Sequence, residues 1–252
     1  MAGGEGKRMQ SDVPKVLVKL GDYPMIVHIL RQLEILSNSI YISNIYIIVG
    51  RFKELIERTI NDYTHLFPSN SIKITYVNQD TPKGTGHAIQ SCKGYVEKHP
   101  NEYTIILSGD VPLISFNTLL NYYWFCSKNN SKASLIAAEL DEPTGYGRII
   151  EDNKKCFVKI VEEKDCNEKE RQITKINTGL YCFKSDTITN YIDKLDCNNN
   201  QNEYYLTDIF GLLVKDKITV DIYNLDKQFL HEIMGVNNLE QLIILERKIK
   251  LN

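Results

Sequence analysis

The sequence predicts an α/β protein built on a doubly wound sheet, and three observations predict it. Short β-branched runs such as 45–49 are apolar throughout, as in a strand covered on both faces. Apolar residues at helical spacing, such as Met25, Ile26, Ile29, Leu30 and Leu33, mark helices that pack on a sheet. The two patterns alternate along the first half of the chain, which is the order of crossover units between parallel strands.

Taken in order, the strand at 45–49 ends on Gly50. The pattern then predicts a helix over 52–61, a strand over 72–77, a helix over 86–97, a strand over 103–107 and a helix over 116–128. The order is βαβα, so this half is expected to be mostly parallel, with ligands beyond the carboxyl ends of its strands. After a strand over 134–140 the pattern changes. Runs 148–150 and 157–161 flank the polar pair Asp152-Asn153, and a β-hairpin insertion is the simplest account. A strand over 179–183, helices near 186–195 and 205–215, a strand over 219–223 and a last helix from about Asn238 complete a mixed sheet. With no repeats or low-complexity linker, the 252 residues read as one domain, with a nucleotide-binding half at 1–130 and a second half at 131–252.

Composition excludes several classes. The net charge of −2 gives no basic surplus for a general nucleic-acid binder, so an anionic ligand has to be met locally. No apolar stretch reaches the length of a membrane span, and the N-terminus lacks a signal-peptide core. The six cysteines form no C-x-x-C pair, which argues against a zinc knuckle or redox motif and fits reduced thiols in the cytoplasm.

The residues that can carry chemistry start at Ala2, Gly3, Gly4, Glu5, Gly6, Lys7 and Arg8, followed by Pro14-Lys15. Glycines let backbone N–H groups approach phosphate oxygens, and Arg8 and Lys15 add positive charge that can follow charge developing in phosphoryl transfer. The loop satisfies neither the Walker A pattern nor the dinucleotide fingerprint. Alone it is weak evidence, and a flexible, functionless N-terminal tail is the default explanation. Asp110, in Ser108-Gly109-Asp110 after an apolar strand, is placed either to hold Mg²⁺, which takes one or two protein ligands, or to cap a turn. Gln79, Gly84 and Thr85 lie between a strand and a helix, where a carboxamide can pair with a base edge and a helix start can face an anion. Gly147, Glu162, Asn177, Tyr205, Thr207 and Asn237 fall in segments rich in hydroxyls, amides and aromatics at element ends. Such groups bind sugars, although each segment by itself is also an ordinary turn or cap.

In this order the segments resemble the sugar-nucleotide pyrophosphorylases, and within them the uridylyltransferase domain of bacterial N-acetylglucosamine-1-phosphate uridyltransferases. The likeness rests on R-M-x-S-D-x-P-K-V-L (8–17), G-T-G-H-A (84–88), G-D-V-P-L-I-S (109–115), P-T-G-Y-G-R-I (143–149), E-Y-Y-x-T-D (203–208) and G-V-N-N (235–238), and it covers nearly the whole chain. The resemblance implies a Rossmann-like, GT-A-like nucleotidyltransferase fold. It also implies that UTP and N-acetylglucosamine 1-phosphate give UDP-N-acetylglucosamine and pyrophosphate by in-line attack on the α-phosphorus. By the same likeness Asp110 and Asn237 would hold Mg²⁺, and Arg8 and Lys15 would steady the phosphates. Ala2, Gly3, Gly4 and Lys15, with Gln79, Gly84 and Thr85 at the uracil, would bind the nucleotide; Gly147, Glu162, Asn177, Tyr205 and Thr207 would contact the amino sugar in the second half.

The chain departs from that pattern in three places. The bifunctional enzymes continue into a left-handed β-helix with acetyltransferase activity, which is not expected here. Ser108 stands where the family often has an aromatic. The family's first strand precedes the glycine-rich loop, whereas here the loop opens the sequence, so a first strand is expected to be missing. Two other readings follow, a pyrophosphorylase for another sugar 1-phosphate and a catalytically impaired sugar-nucleotide-binding protein.

Overall fold

A computed structural model describes residues 1–3, 13–67 and 72–251. The chain forms two compact units. One comprises Met1–Pro82, Ser108–Asn121 and Gln228–Asn252, the other Lys83–Leu107 and Tyr122–Lys227.

In chain order the elements are β1 (Lys19–Leu20), β2 (Tyr23–Pro24), α1 (Met25–Ser37), β3 (Asn44–Val49), α2 (Lys53–Asp62), β4 (Lys73–Asn78), α3 (Thr85–Val96) and β5 (Tyr103–Ile106). They continue as α4 (Phe116–Asn129), β6 (Ala133–Glu139), β7 (Gly147–Glu151), β8 (Phe157–Val161), α5 (Glu168–Arg171), β9 (Lys175–Lys184), α6 (Ser185–Tyr191), α7 (Asp208–Lys215), β10 (Val220–Asn224) and α8 (Leu239–Leu251). No helix among the described residues is long and apolar enough to cross a membrane.

In the first unit β3 and β4 pair in parallel, as the sequence predicts. Val27 and Leu30 of α1, Ile47 and Val49 of β3 and Ile56 and Ile60 of α2 form one buried cluster with Ala2, Val16 and Leu17. The stripe on α1 is as predicted except that Leu33 is half-buried and Leu36 takes the buried place. Residues 1–3 lie beside the end of β3: the Ala2 amide donates to the Ile48 carbonyl (2.8 Å), and the Gly109 amide donates to the Met1 carbonyl (2.8 Å).

In the second unit the strands run in the order β10-β6-β9-β7-β8, with β5 also paired to β9. Only β10 and β6 are parallel; β9 is antiparallel to β5, β6 and β7, and β7 to β8, so the sheet is mixed. The expectation of a mostly parallel first half therefore holds for β3 and β4 but not for β5, whose partner is β9. The hairpin is present. Its turn is set by Asp152, whose carboxylate accepts from the amides of Lys154 (2.8 Å) and Cys156 (2.9 Å).

Two boundaries differ from the sequence reading. β9 begins at Lys175 and runs through Gly179, where the pairing with β6 shifts register and the glycine takes a φ of +80°. Glycine reads as a strand boundary in a sequence, but here it makes a bulge inside the strand. The helix expected from 205 begins at Asp208, because the Tyr204 amide is bonded to the Lys83 carbonyl (2.8 Å) and the Leu206 amide to the Thr85 hydroxyl (3.0 Å). Those bonds hold 204–206 against the start of α3, and 205–207 lead into α7 through i to i+3 bonds, from the Asp208 amide to Tyr205 (3.3 Å) and the Ile209 amide to Leu206 (3.2 Å). Downstream, Phe210 of α7 packs on Phe183, Tyr181 and Phe157 at 5.1, 5.2 and 5.9 Å between ring centroids. A fully buried phenylalanine is worth about 1.5–3 kcal/mol, enough to seat this short helix.

Candidate active site

Within the first unit, three side chains that lie far apart in the sequence meet. Lys15 enters through a 3₁₀ turn, Lys15–Leu17, in which Val16 and Leu17 are buried and the Leu17 amide returns to the Pro14 carbonyl (2.8 Å). Burying those two residues turns the lysine between them and Pro14 away from the apolar cluster and toward Asp110, with its side chain mostly covered. Its ammonium donates to Asp110 Oδ2 and to Asn237 Oδ1, the latter at 2.6 Å.

Asp110 is fixed by the turn that carries it. The Val111 amide closes that turn on the Ser108 carbonyl (3.2 Å). Gly109 is required at its centre, because a Cβ there would stand 2.7 Å from the Met1 carbonyl oxygen and 2.8 Å from Val16 Cγ1. The Asp110 carbonyl accepts the amide of Val236 (2.9 Å), a fully buried residue packed among Leu20, Met25, Leu242 and Leu245. Asn237 follows directly, its amide bonded to Gln241 Oε1 (2.6 Å), while Asn238 accepts the Gln241 amide (2.9 Å) at the start of α8. The start of α8 thus fixes Asn237 against Asp110.

Burial alone would push the Asp110 carboxyl up, but the Lys15 ammonium and the hydrogen bonds from Lys15 and Ser108 outweigh it and hold it below its ordinary range. Ser108 Oγ donates to Asp110 Oδ1 at 2.6 Å. Each carboxylate oxygen is thus engaged by a side chain, and the carboxylate also accepts from Asp110's own amide. Nothing in the sequence pattern marks Ser108 as a partner of Asp110 except its i, i+2 spacing.

The nucleotide candidates Ala2, Gly3 and Gln79 also belong to the first unit. Gly3 lies against Gln79: a Cβ on it would stand 3.2 Å from Gln79 Oε1, and its carbonyl would lie 3.3 Å from a Cβ on Gly50. Gln79 is buried, and its amide continues the β3 pairing by donating to Val49 (2.7 Å). Gly50, read from sequence only as the end of a strand, proves to be a second point of close backbone approach. Gly4 and Arg8 lie outside the described residues.

In the second unit Gly84 has a φ of +107°, and a Cβ there would fall 2.5 Å from the Tyr204 carbonyl oxygen. The Gly86 amide donates to that same carbonyl (2.7 Å). Gly84 and Thr85 thereby clasp 204–206, and the Thr85 hydroxyl spends an acceptor site on Leu206.

The sugar candidates gather in the second unit around Glu162. Thr207 donates to Glu162 Oε1 (2.8 Å), a Cβ on Gly147 would stand 3.5 Å from Oε2, and Gly147 pairs with Asn177 across β7 and β9. Asn177 donates to the Tyr181 hydroxyl (2.8 Å) and accepts from the Gly179 amide (3.3 Å), so the bulge in β9 sets its angle. Tyr205 is buried, with its hydroxyl accepting from Gln201 (2.6 Å). Tyr181 and Gln201 escaped the sequence reading, since neither lies in a recognisable pattern.

Burial raises the carboxyl of Glu162, against the Thr207 hydrogen bond, and the charge of Asp165 raises it further. Asp208 is pushed up to about 6 by burial and by Asp196, Glu162 and Asp165. Among the described residues no group of three or more His, Cys, Asp or Glu side chains is placed to hold a metal ion. Mg²⁺ needs fewer, because it keeps water and substrate phosphates in its shell. Asp110 Oδ2 and Asn237 Oδ1 are two hard oxygen donors that already share one cation, the Lys15 ammonium, and this donor chemistry fits Mg²⁺.

A profile of the nucleotidyl transferase family matches residues 1–228. The chain is similar to the bifunctional protein GlmU of Francisella philomiragia, with 38% identity over 248 residues covering 98% of this chain and 50% of that protein. It is also similar to that of Clostridium acetobutylicum, with 35% identity over 242 residues covering 96% and 49%. The chain thus spans about half the length of these relatives. Among solved structures it resembles a UDP-glucose pyrophosphorylase complexed with UDP-glucose (TM-score 0.78, 18% identity, 99% and 96% covered). It also resembles a putative glucose-1-phosphate thymidylyltransferase from Bacillus anthracis (TM-score 0.72, 22% identity, 98% and 92% covered). At these identities the two structures speak for the fold alone, an α/β mixed-sheet nucleotidyltransferase fold.

Proposed function

The chain belongs to the nucleotidyl transferase family, and from that premise we propose that it is a uridylyltransferase joining UTP and N-acetylglucosamine 1-phosphate into UDP-N-acetylglucosamine and pyrophosphate. The observation that carries the reading is the convergence of Asp110 Oδ2 and Asn237 Oδ1 on the Lys15 ammonium. The identity to the two GlmU proteins along almost the whole chain supports the choice of nucleotide and sugar.

Transfer of a nucleotidyl group asks little covalent chemistry of a protein; it asks for positioning and for neutralisation of charge. A phosphate oxygen of the sugar phosphate attacks the α-phosphorus, the α–β bridging P–O bond breaks, and pyrophosphate leaves with that bond's electron pair. Lys15, and by the sequence pattern Arg8, place positive charge beside the triphosphate. By the sequence pattern, Ala2, Gly3 and Gly4 contact the nucleotide. Gln79, Gly84 and Thr85 read the base. Asp110 and Asn237 hold Mg²⁺, which when bound neutralises developing negative charge on the phosphates. Asp110, kept ionised by Lys15, is in the form that role requires.

Glu162, Thr207, Asn177, Gly147 and Tyr205 select the amino sugar. Glu162 is an acceptor for sugar hydroxyls or an amide N–H, Asn177 offers both a donor and an acceptor, and Gly147 leaves room beside Glu162 that a side chain would fill.

The test is pyrophosphate release across a panel of nucleotides and sugar 1-phosphates. Release is expected only with UTP, N-acetylglucosamine 1-phosphate and Mg²⁺ together, and Asp110→Ala is expected to lower the rate at least ~100-fold. Equal turnover of glucose 1-phosphate would move the protein to another pyrophosphorylase specificity. Thermal stabilisation by UDP-N-acetylglucosamine without turnover would make it a binding protein.

A further inference from the structure

Asp110 and Asn237 owe their arrangement to backbone bonds, but the plane of the Asp110 carboxylate is a separate matter. Rotation of a carboxylate about its last torsion has a broad, nearly two-fold profile, and the one main-chain restraint on it is the hydrogen bond from Asp110's own amide. Two side chains hold one oxygen each and complete the restraint. Lys15 holds Oδ2, the oxygen beside Asn237, and Ser108 Oγ holds Oδ1 at 2.6 Å. Ser108 is itself fixed by the turn it opens, through the Val111 amide on its carbonyl at 3.2 Å and the Gly109 amide on Met1 at 2.8 Å.

The two restraints are not equivalent. Lys15 carries charge that a triphosphate competes for, whereas a hydroxyl two residues away in the same turn has no such competitor. We propose that Ser108 is a positioning residue for the divalent cation: by donating to Asp110 Oδ1 it turns Oδ2 toward Asn237 Oδ1 and presents a single carboxylate oxygen to the metal. This rests on the metal-site reading of Asp110 and Asn237. Hydrogen bonds that orient a metal-binding carboxylate typically govern affinity by 10–100-fold when removed.

The experiment is a titration of the full chain with Mn²⁺, followed by electron paramagnetic resonance of the free ion, on the parent, Ser108→Ala, Ser108→Thr and Asp110→Asn. Asp110→Asn is expected to abolish binding. Ser108→Ala is expected to weaken it about tenfold at an unchanged thermal midpoint, and Ser108→Thr, which keeps the hydroxyl, to restore it. Parental affinity in Ser108→Ala, or a Ser108→Thr variant as weak as Ser108→Ala, would overturn the assignment while leaving the metal site standing. Parental affinity in Asp110→Asn, or no binding in the parent, would remove the metal-site reading and the assignment with it. If Ser108→Ala is thermally destabilised, the comparison of Ser108→Thr with the parent decides.

Discussion

The two clusters of polar side chains, one in each unit, treat their carboxylates in opposite ways. Asp110 is paired with a cation and held ionised, its carboxyl below the ordinary range. Glu162 is half-buried and Asp208 lies at the surface beside it, and desolvation with neighbouring acids pushes both toward the neutral form. The first arrangement suits a group that must meet a metal and phosphates. The second suits groups that meet neutral hydroxyls and amides, where an uncompensated charge would cost more than it returns. A residue type alone therefore does not fix a carboxylate's ionisation; its burial and the nearest charge do.

The largest expected effect tests this contrast directly. Asp110→Ala should lower kcat at least ~100-fold whatever sugar phosphate is offered, because it removes charge neutralisation. Thr207→Val should instead act mainly on the sugar, raising KM for the sugar phosphate about tenfold with kcat within a few-fold, since it removes one hydroxyl from Glu162. Steady-state kinetics with each substrate varied would check both, and a KM effect on UTP from Thr207→Val would break the division.

Backbone demands come next. Gly84→Ala places a Cβ 2.5 Å from the Tyr204 carbonyl at a φ of +107° and should cost about 3 kcal/mol in denaturant unfolding. Gly211→Ala, inside α7 with nothing within 4 Å of the new Cβ, should gain about 0.5–1 kcal/mol. A tolerated Gly84→Ala would show that the clasp between Thr85 and Leu206 is looser than its geometry indicates.

The smallest effect is in the pH profile. Asp110, with its folded value depressed below 3.8, contributes stability that is present above about pH 4 and lost as the pH falls through its folded value. Asp208, raised from 3.8 to about 6, behaves in reverse: its contribution is full below 3.8 and is lost as the pH rises through about 6. Because Asp208 is exposed and its repulsions are screened, Asp208→Asn should raise the thermal midpoint only slightly at about pH 7.5 and by almost nothing at about pH 4. A gain of equal size at both would exclude charge as the cause.

The sequence alone determined the class of the fold, most element positions and the identity of the chemical groups. Those follow from periodicity and from residue types that only a few jobs require: apolar runs at 45–49, the hairpin turn at Asp152, a carboxylate after Gly109. It did not show that β5 pairs with β9, because strand pairing depends on contacts between distant segments. It placed a boundary at Gly179 where the strand bulges, since a glycine's φ is not written in its identity. It extended a helix over 205–207 because the bonds that hold 204–206 come from Lys83 and Thr85, more than a hundred residues earlier. Tertiary structure alone brought Lys15 to Asp110 and Asn237, across separations of 95 and 222 residues, and gave Asp110 and Glu162 their opposite charge environments. The reason is common to all of these. Local pattern specifies what a segment can be, but a carboxylate's ionisation, a strand's partner and a serine's role depend on neighbours that only folding supplies.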